Sequence, residues 1–276
     1  MKFSNGAIRS PFDIRDYKAK MKVKSEVPFE YDIFTKEWPV VKNQGDVGSC
    51  VAHSLSTVVE FFNEKQEGTK TIMSTDYIYG NRSYSINSGT GLVVRDAVKT
   101  LAKMGDVDNE TYPGNSEVPA CIKKFEERDA NIDASAYPNR ISSYYRLKIA
   151  DTIKENIMNV GPVLFTVRIK DGVYVDDNNV MRFSSNKNSG LHCMVCCGWN
   201  RDGWILHNSW GNWSKDGRVI YPYDYEIVEA WGVSDTIIGE DKNFEVVEPN
   251  DFERTFYKII NAVINIVLKI FKYYKK

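Results

Sequence analysis

Apolar residues recur in the first half of the chain at the spacing of amphipathic helices. One stripe runs from Leu55 to Phe62, a second from Val94 to Ala102 and a third from Ile149 to Ile157. In each stripe the apolar positions lie three or four residues apart, which places them on one helix face. Gly161-Pro162 ends the third stripe, so the pattern predicts three helices before this point.

Beyond residue 160 the pattern predicts strands. Val163–Ile169 is apolar and β-branched, and Cys193–Trp199 and Trp204–Trp210 flank the polar turn Asn200–Gly203. Two such runs joined by a short turn containing Asn and Gly are typical of an antiparallel hairpin. Arg218–Tyr223 predicts a further strand. Helices in the first half and antiparallel strands in the second indicate an α+β fold with two lobes and a cleft between them.

The two ends of the chain follow neither pattern. Residues 1–40 mix charged, aromatic and proline positions without a sustained period, which indicates an extended arm. Residues 252–276 carry six basic residues and one acidic residue, with polar positions every three or four residues. This predicts a basic amphipathic helix that packs on protein or lies at a membrane surface. Its apolar run is shorter than the roughly 20 residues that cross a bilayer.

We therefore expect four regions. Residues 1–34 form the arm, and residues 35–240 form the main domain. Within that domain the helical lobe covers about 45–135 and the β lobe about 136–240. Residues 241–276 form a linker and the terminal helix.

Composition and charge narrow the class of protein. Of the 276 residues, 42% are hydrophobic and 26% are charged, which is typical of a globular protein. The formal net charge of −1 provides no basic field for nucleic acid. The first residues lack the apolar run of a secretory signal, and five cysteines form an odd set that favours reduced thiols. We therefore expect a cytoplasmic protein that does not bind nucleic acid.

Candidate chemistry lies in the segment from Asn43 to Cys50, directly before the first predicted helix. Gly48-Ser49 provide a loop and an N-cap, so Cys50 is expected to open that helix. The positive end of the helix dipole stabilises a thiolate over a thiol. A cysteine at a helix start is more often structural than reactive. This feature alone therefore leaves both interpretations open.

A thiolate that attacks an acyl group also needs a base, a group that orients the base, and a donor for the oxyanion. The chain has three histidines. His53 lies inside the predicted helix, where packing is the favoured interpretation, and His207 should face the opposite side of its strand from Asn208. His192 begins the first strand of the predicted hairpin, and Asn208 lies on the second. His192 is therefore the best candidate base.

Three segments resemble motifs of papain-like cysteine peptidases. They are the segment ending at Cys50, the segment Leu191–Trp199 with His192, and the segment Trp204–Gly211 with Asn208. Their order is Cys, His, Asn, and the histidine lies about 140 residues after the cysteine, as in the papain pattern. The resemblance covers roughly residues 35–225 and is nearer to bacterial members. It implies a two-lobed fold with a helical left lobe, an antiparallel barrel-like right lobe, and peptide hydrolysis by a thiol.

The resemblance also implies roles for individual residues. Cys50 corresponds to the nucleophile and His192 to the general base and later acid. Asn208 corresponds to the residue that orients the imidazole. The Gln44 side chain and the Cys50 N–H correspond to the oxyanion hole, and Trp210 shields the histidine from water. Substrate contacts are implied for Gly89, Gly91, Leu191, Thr166 and Trp210, with an apolar side chain expected at the second residue on the acyl side of the cut.

The chain departs from secreted members of that family. Val47 and Val51 stand where a disulfide cysteine and a tryptophan are common, and no long helical propeptide precedes Cys50. The arm could cover the cleft instead. Cys193, Cys196 and Cys197 could suggest a metal site, but strand alternation sends the middle one to the opposite face from the other two. We expect them to pack as small apolar residues, and we expect no metal or cofactor.

Three functions remain open at this point. The leading one is a cysteine peptidase that acts on a peptide or protein substrate. A papain-fold amidase acting on cell-wall peptides would keep Cys50 and His192 but would not need Gln44 or the segment Asn208–Gly211. A catalytically dead module would bind a peptide in the cleft and use residues 252–276 to dock on a membrane or a protein partner.

Overall fold

The computed structural model describes residues 4–13, 16–21, 26–35, 37–82, 90–114, 118–148, 150–235 and 244–247, with single positions up to residue 259. The predicted basic helix over 252–276 lies almost wholly outside the described residues, and so does Gly89. Within the described ranges, no helix is both long enough and apolar enough to cross a membrane.

The described part of the chain contains six α-helices: α1 (Cys50–Glu67), α2 (Thr75–Gly80), α3 (Val94–Met104), α4 (Val118–Glu126), α5 (Ala130–Ala136) and α6 (Ala150–Asn159). The three helices predicted from apolar stripes are α1, α3 and α6, and all three are confirmed. The other three were not predicted. Each has fewer than ten residues, so an apolar stripe has no room to repeat.

The strands are β1 (Ala7–Ile8), β2 (Lys18–Met21), β3 (Tyr31–Asp32), β4 (Leu92–Val93), β5 (Ser143–Leu147), β6 (Val163–Lys170), β7 (Val173–Val175), β8 (Met181–Phe183), β9 (Asn188–Trp199), β10 (Gly203–His207), β11 (Arg218–Pro222), β12 (Ile227–Ser234) and β13 (Phe244–Val247). The main sheet has the order β11-β10-β9-β6-β12-β5-β2-β13, with β3 also pairing with β9. Its pairings are antiparallel except that of β2 with β5. Helices combined with this sheet confirm the expected α+β class.

The predicted hairpin is formed by β9 and β10, but its ends differ from the prediction. Strand β9 begins at Asn188, because the residues before His192 already pair with β6. His192 therefore lies inside the strand and does not begin it. Strand β10 ends at His207, because the Asn208 N–H bonds to the Gly217 carbonyl and the chain leaves the ladder there.

Apolar side chains pack on both faces of the sheet around β9. On one face Cys193 and Cys197 belong to the cluster that includes Leu55 of α1. On the other face Cys196 packs in the cluster that includes Ile153 of α6. This is the alternation predicted from the sequence, and all five cysteines are free and buried. The described residues contain no group of three His, Cys, Asp or Glu side chains that could hold a metal ion.

Candidate active site

Cys50 is the first residue of α1, as predicted, and its side chain is fully buried. Ser49 occupies the N-cap position, but its side chain makes no capping hydrogen bond to the helix backbone. Its Oγ lies 3.2 Å from Nδ1 of His53 instead. The backbone N–H groups of the first turn therefore have no side-chain cap and remain available to an anion near Cys50.

His192 is held by a carboxamide and by an aromatic ring. Its Nε2 lies 2.8 Å from Oδ1 of Asn208, which also accepts the Ser209 N–H at 2.8 Å. An amide oxygen accepts, so Nε2 carries the proton and Nδ1 is the basic nitrogen. Nδ1 makes no hydrogen bond within the described residues. The Trp210 indole stacks on the imidazole, with ring centroids 4.3 Å apart and an interplanar angle of 26°.

The nucleophile and the base are connected through one peptide group. The Cys193 N–H, which belongs to the peptide that follows His192, donates to Cys50 Sγ at 3.4 Å. A second connection joins the loop before α1 to the segment after β10. The Gln44 N–H donates to the Ser209 carbonyl at 2.9 Å, and the Gly211 N–H donates to the Lys42 carbonyl at 3.0 Å. The start of α1 is therefore fixed to the hairpin on two sides.

Gln44 is fully buried next to these residues. Its Oε1 accepts a hydrogen bond of 2.6 Å from Ser209 Oγ, which leaves Nε2 as a donor. Nε2 donates to the carbonyl of Val47 at 2.9 Å and to the carbonyl of Ser4 at 3.1 Å. A fixed amide donor aimed at a carbonyl oxygen can stabilise an oxyanion. Ser209 was not among the predicted site residues, although its position directly after Asn208 was the available signal.

Residues 4–8 of the arm lie across this site. The carbonyl of Ser4 accepts from Gln44, and the carbonyl of Gly6 accepts the Leu92 N–H at 2.8 Å. Strand β1 pairs with β4 in parallel, with Ala7 opposite Leu92. A Cβ added to Gly6 would lie 1.9 Å from the Gly48 carbonyl oxygen, so the backbone contact requires glycine.

Burial controls the protonation of the catalytic candidates. It raises the pKa of the Cys50 thiol to about 11, and backbone N–H groups of Cys193 and Gly6 offset this only in part. Burial lowers the pKa of His192 to about 4, against a smaller opposite effect of Asn208. In this closed arrangement the pair is a thiol and a neutral imidazole at pH 7. The thiolate expected from the helix dipole is not favoured here, because loss of hydration outweighs the dipole.

Gly91, one of the expected substrate contacts, lies against the arm. Its φ is +98°, and an added Cβ would lie 2.6 Å from the Gly6 carbonyl oxygen. Its own N–H donates to the Tyr79 hydroxyl, and its carbonyl accepts from Arg82. Gly91 thus borders the groove through its Cα, and the adjacent Leu92 N–H makes the hydrogen bond to the arm.

Leu191 and Thr166, the other expected contacts, lie on strands next to the site. Leu191 packs against the apolar cluster that contains Ala7 of the arm. Thr166 is buried and pairs with Cys193 on one side and with Glu229 on the other. Glu229 was missed by the sequence analysis. Its buried carboxylate accepts a hydrogen bond from an arm N–H, so the groove is not purely apolar.

A family model described as papain family cysteine protease matches residues 27–227, which is more than half of the chain. The chain belongs to the papain family of cysteine proteases. The family assignment confirms the resemblance seen in the three motifs. It favours neither the amidase nor the binding module.

The chain is similar in sequence to a viral and a mammalian protein. An uncharacterized peptidase C1-like protein of Acanthamoeba polyphaga mimivirus is 28% identical over 244 residues, covering 81% of this chain and 77% of the relative. Cathepsin K of Mus musculus is 23% identical over 196 residues, covering 65% of this chain and 55% of that protein.

Solved structures show the same fold. Xylellain, a cysteine protease from Xylella fastidiosa, superposes with a TM-score of 0.73 at 23% identity and covers 84% of this chain and 96% of its own. A digestive procathepsin L 3 from Tenebrio molitor superposes with a TM-score of 0.60 at 21% identity, covering 80% and 76% of the two chains. These likenesses confirm the two-lobed papain-like fold expected from the sequence.

Proposed function

We propose that this chain hydrolyses peptide bonds through an acyl-enzyme on Cys50. One observation carries the proposal: the peptide group after His192 donates to Cys50 Sγ while the imidazole of His192 is held by Asn208. This arrangement gives a thiol, a base with a defined basic nitrogen and a group that orients the base. These are the requirements for nucleophilic attack on an acyl carbon.

The reaction runs in two stages. His192 Nδ1 takes the thiol proton as Cys50 Sγ attacks the carbonyl carbon, and the imidazolium then gives that proton to the leaving amine. Water attacks the resulting thioester with His192 as base, and the carboxylic acid leaves as Cys50 regains its proton. Gln44 Nε2 and the Cys50 N–H donate to the oxyanion in both stages. A single such donor contributes roughly 2.7–4 kcal/mol.

The arm inhibits this activity in the same proposal. Its carbonyl at Ser4 takes the Gln44 donor that the oxyanion would need. Charged contacts hold the arm on the body, because Arg95 pairs with Asp13 and Asp16 at 3.8 and 3.1 Å. The Ser10 N–H donates to Glu229 at 3.1 Å. Together these contacts keep water and substrate away from the thiol.

The direction of the arm explains why it would not be cut. Strand β1 runs parallel to β4, with the Ser4 carbonyl at Gln44 and the following residues along Leu92. A substrate whose acyl-side residues lie along Leu92 approaches Gln44 with the opposite chain direction. The peptide bonds of the arm therefore have the wrong polarity for attack by Cys50.

Covalent labelling tests the proposed site. The full chain carrying Gly6→Ala, which displaces the arm, is treated with iodoacetamide at pH 6 and digested for mass spectrometry. We expect selective modification of Cys50 and loss of that selectivity in His192→Ala, whereas Cys121→Ser, at a buried thiol outside the site, changes nothing. Labelling of all cysteines to the same extent would contradict the proposal, and so would a Cys50→Ala variant that still cleaves a peptide library.

A further inference from the structure

The groove wall that pairs with the arm contains Gly91 and Leu92, and two side chains hold it from inside the protein. The Gly91 N–H donates to the Tyr79 hydroxyl at 3.1 Å, and Arg82 Nη2 donates to the Gly91 carbonyl. The Arg82 guanidinium also lies 4.8 Å from the centroid of the Tyr79 ring. Both side chains are buried. Tyr79 lies in α2 and Arg82 follows that helix, and neither is adjacent in sequence to a residue proposed to react.

Arg82 acts on the same peptide group that contacts the arm. The Gly91 carbonyl and the Leu92 N–H belong to one planar peptide, and that N–H donates to the Gly6 carbonyl at 2.8 Å. A charged donor on the carbonyl fixes the plane of the peptide and polarises the N–H on its other side. The direction and strength of the Leu92 donor therefore depend on Arg82.

Leu92 is placed to bind an extended chain and not a particular side chain. The arm occupies this wall as a strand, since β1 pairs with β4 through the backbone. A hydrogen bond from a backbone N–H to a backbone carbonyl is available to any peptide that lies extended in the groove. A substrate too short to reach this wall would gain nothing from it.

We propose that Arg82 and Tyr79 are positioning residues for peptide substrates: they orient the peptide between Gly91 and Leu92 so that the Leu92 N–H binds the substrate backbone. This inference rests on the proposed peptidase function. It changes the role expected of Gly91, which borders the substrate through its Cα.

The test compares two substrates in the full chain carrying Gly6→Ala. One is p-nitrophenyl acetate, which has no second carbonyl on the acyl side, and the other is a blocked hexapeptide from the cleaved library. With Arg82→Gln we expect KM for the hexapeptide to rise about tenfold, as for a lost hydrogen bond to a charged group. We expect kcat for the hexapeptide and both constants for the ester to stay within about twofold. Tyr79→Phe, a milder change, raises the hexapeptide KM about threefold.

Arg128→Gln is the matched control. Arg128 lies on the same pocket as Arg82 and stacks on Phe125, but it pairs with Asp133 and not with Gly91. It should leave the ratio of the two KM values unchanged. Equal losses for ester and hexapeptide with Arg82→Gln, or no change for either, would overturn the positioning role. Absence of all hydrolysis in the Gly6→Ala parent would instead overturn the proposed function, and this inference with it.

Discussion

Replacing Gly6 by alanine should open the cleft, because the closed arm leaves no room for a methyl group. The added Cβ would lie 1.9 Å from the carbonyl oxygen of Gly48 and 2.2 Å from its carbonyl carbon. Both atoms belong to the backbone of the loop before α1, which cannot rotate away as a side chain can. Residues 4–8 must therefore leave the groove for the variant to fold.

The magnitude follows from the contacts that keep the arm closed at the site. At least two hydrogen bonds are lost, from Gln44 to the Ser4 carbonyl and from Leu92 to the Gly6 carbonyl. Each contributes about 1 kcal/mol net. Exposure of the Ala7 methyl group adds up to about 0.8 kcal/mol. The total of about 2–3 kcal/mol corresponds to a 30-fold to 150-fold increase in the open fraction, since about 1.4 kcal/mol is a factor of ten.

The assay is the rate of Cys50 alkylation by iodoacetamide at neutral pH, followed by mass spectrometry of the Cys50 peptide. We expect Gly6→Ala to raise this rate about 30-fold to 150-fold, and peptide hydrolysis to rise in parallel. Gly68→Ala is the control, because it strains a glycine at φ +67° in the cap of α1 without touching the arm. An unchanged rate in Gly6→Ala, or an equal acceleration in Gly68→Ala, would refute the reasoning.

Three further outcomes are expected. Ser209→Ala frees the Gln44 carboxamide to rotate and should lower kcat about tenfold with little change in Tm, which steady-state kinetics and calorimetry can check. Lys42→Met removes the ammonium that lies 2.6 Å from the buried Glu60 carboxylate. The free energy of unfolding in urea should fall by about 3–5 kcal/mol, because the carboxylate loses its ion-pair partner. Burial lowers the pKa of His207 to about 3, so the folded state resists its protonation. Between pH 6.5 and 4 the unfolded chain binds this proton and the folded chain does not. The free energy of unfolding should therefore decrease as the pH is lowered, by about 1.4 kcal/mol per pH unit from this residue. His207→Leu should reduce that slope in urea titrations.

The elements at the centre of the fold were predictable from local pattern. The stripe from Leu55 to Phe62 repeats over enough turns to identify α1, and the turn Asn200–Gly203 identifies the β9–β10 hairpin. Cys50 was predicted to open α1 because loop residues directly precede an apolar helical stripe. His192 and Asn208 followed because a hairpin brings residues distant in sequence side by side. Each of these inferences depends on a period or turn that lies within one segment.

Other features of the site had no local signal. Arg82 and Tyr79 bond to Gly91 from 9 and 12 residues away in the sequence, and no spacing marks that contact. Strand β1 has two residues, too few for an alternating pattern, so the arm could be described as extended but its contacts could not be specified. The short helix α2 was missed for the same reason.

The sequence by itself determined the α+β class, the papain-like motifs and the order of the candidate catalytic residues, because periodicity, turns and motif spacing are properties of neighbouring residues. The tertiary structure decided the protonation state of those residues. In the folded chain Cys50 and His192 are fully buried, and residues 4–8 pack against Gly48 and Leu92 beside them. The resulting loss of hydration favours the neutral thiol and imidazole over the ion pair that the helix dipole alone would predict. Hydration depends on what lies above a side chain in space, and the local sequence around Cys50 does not specify it.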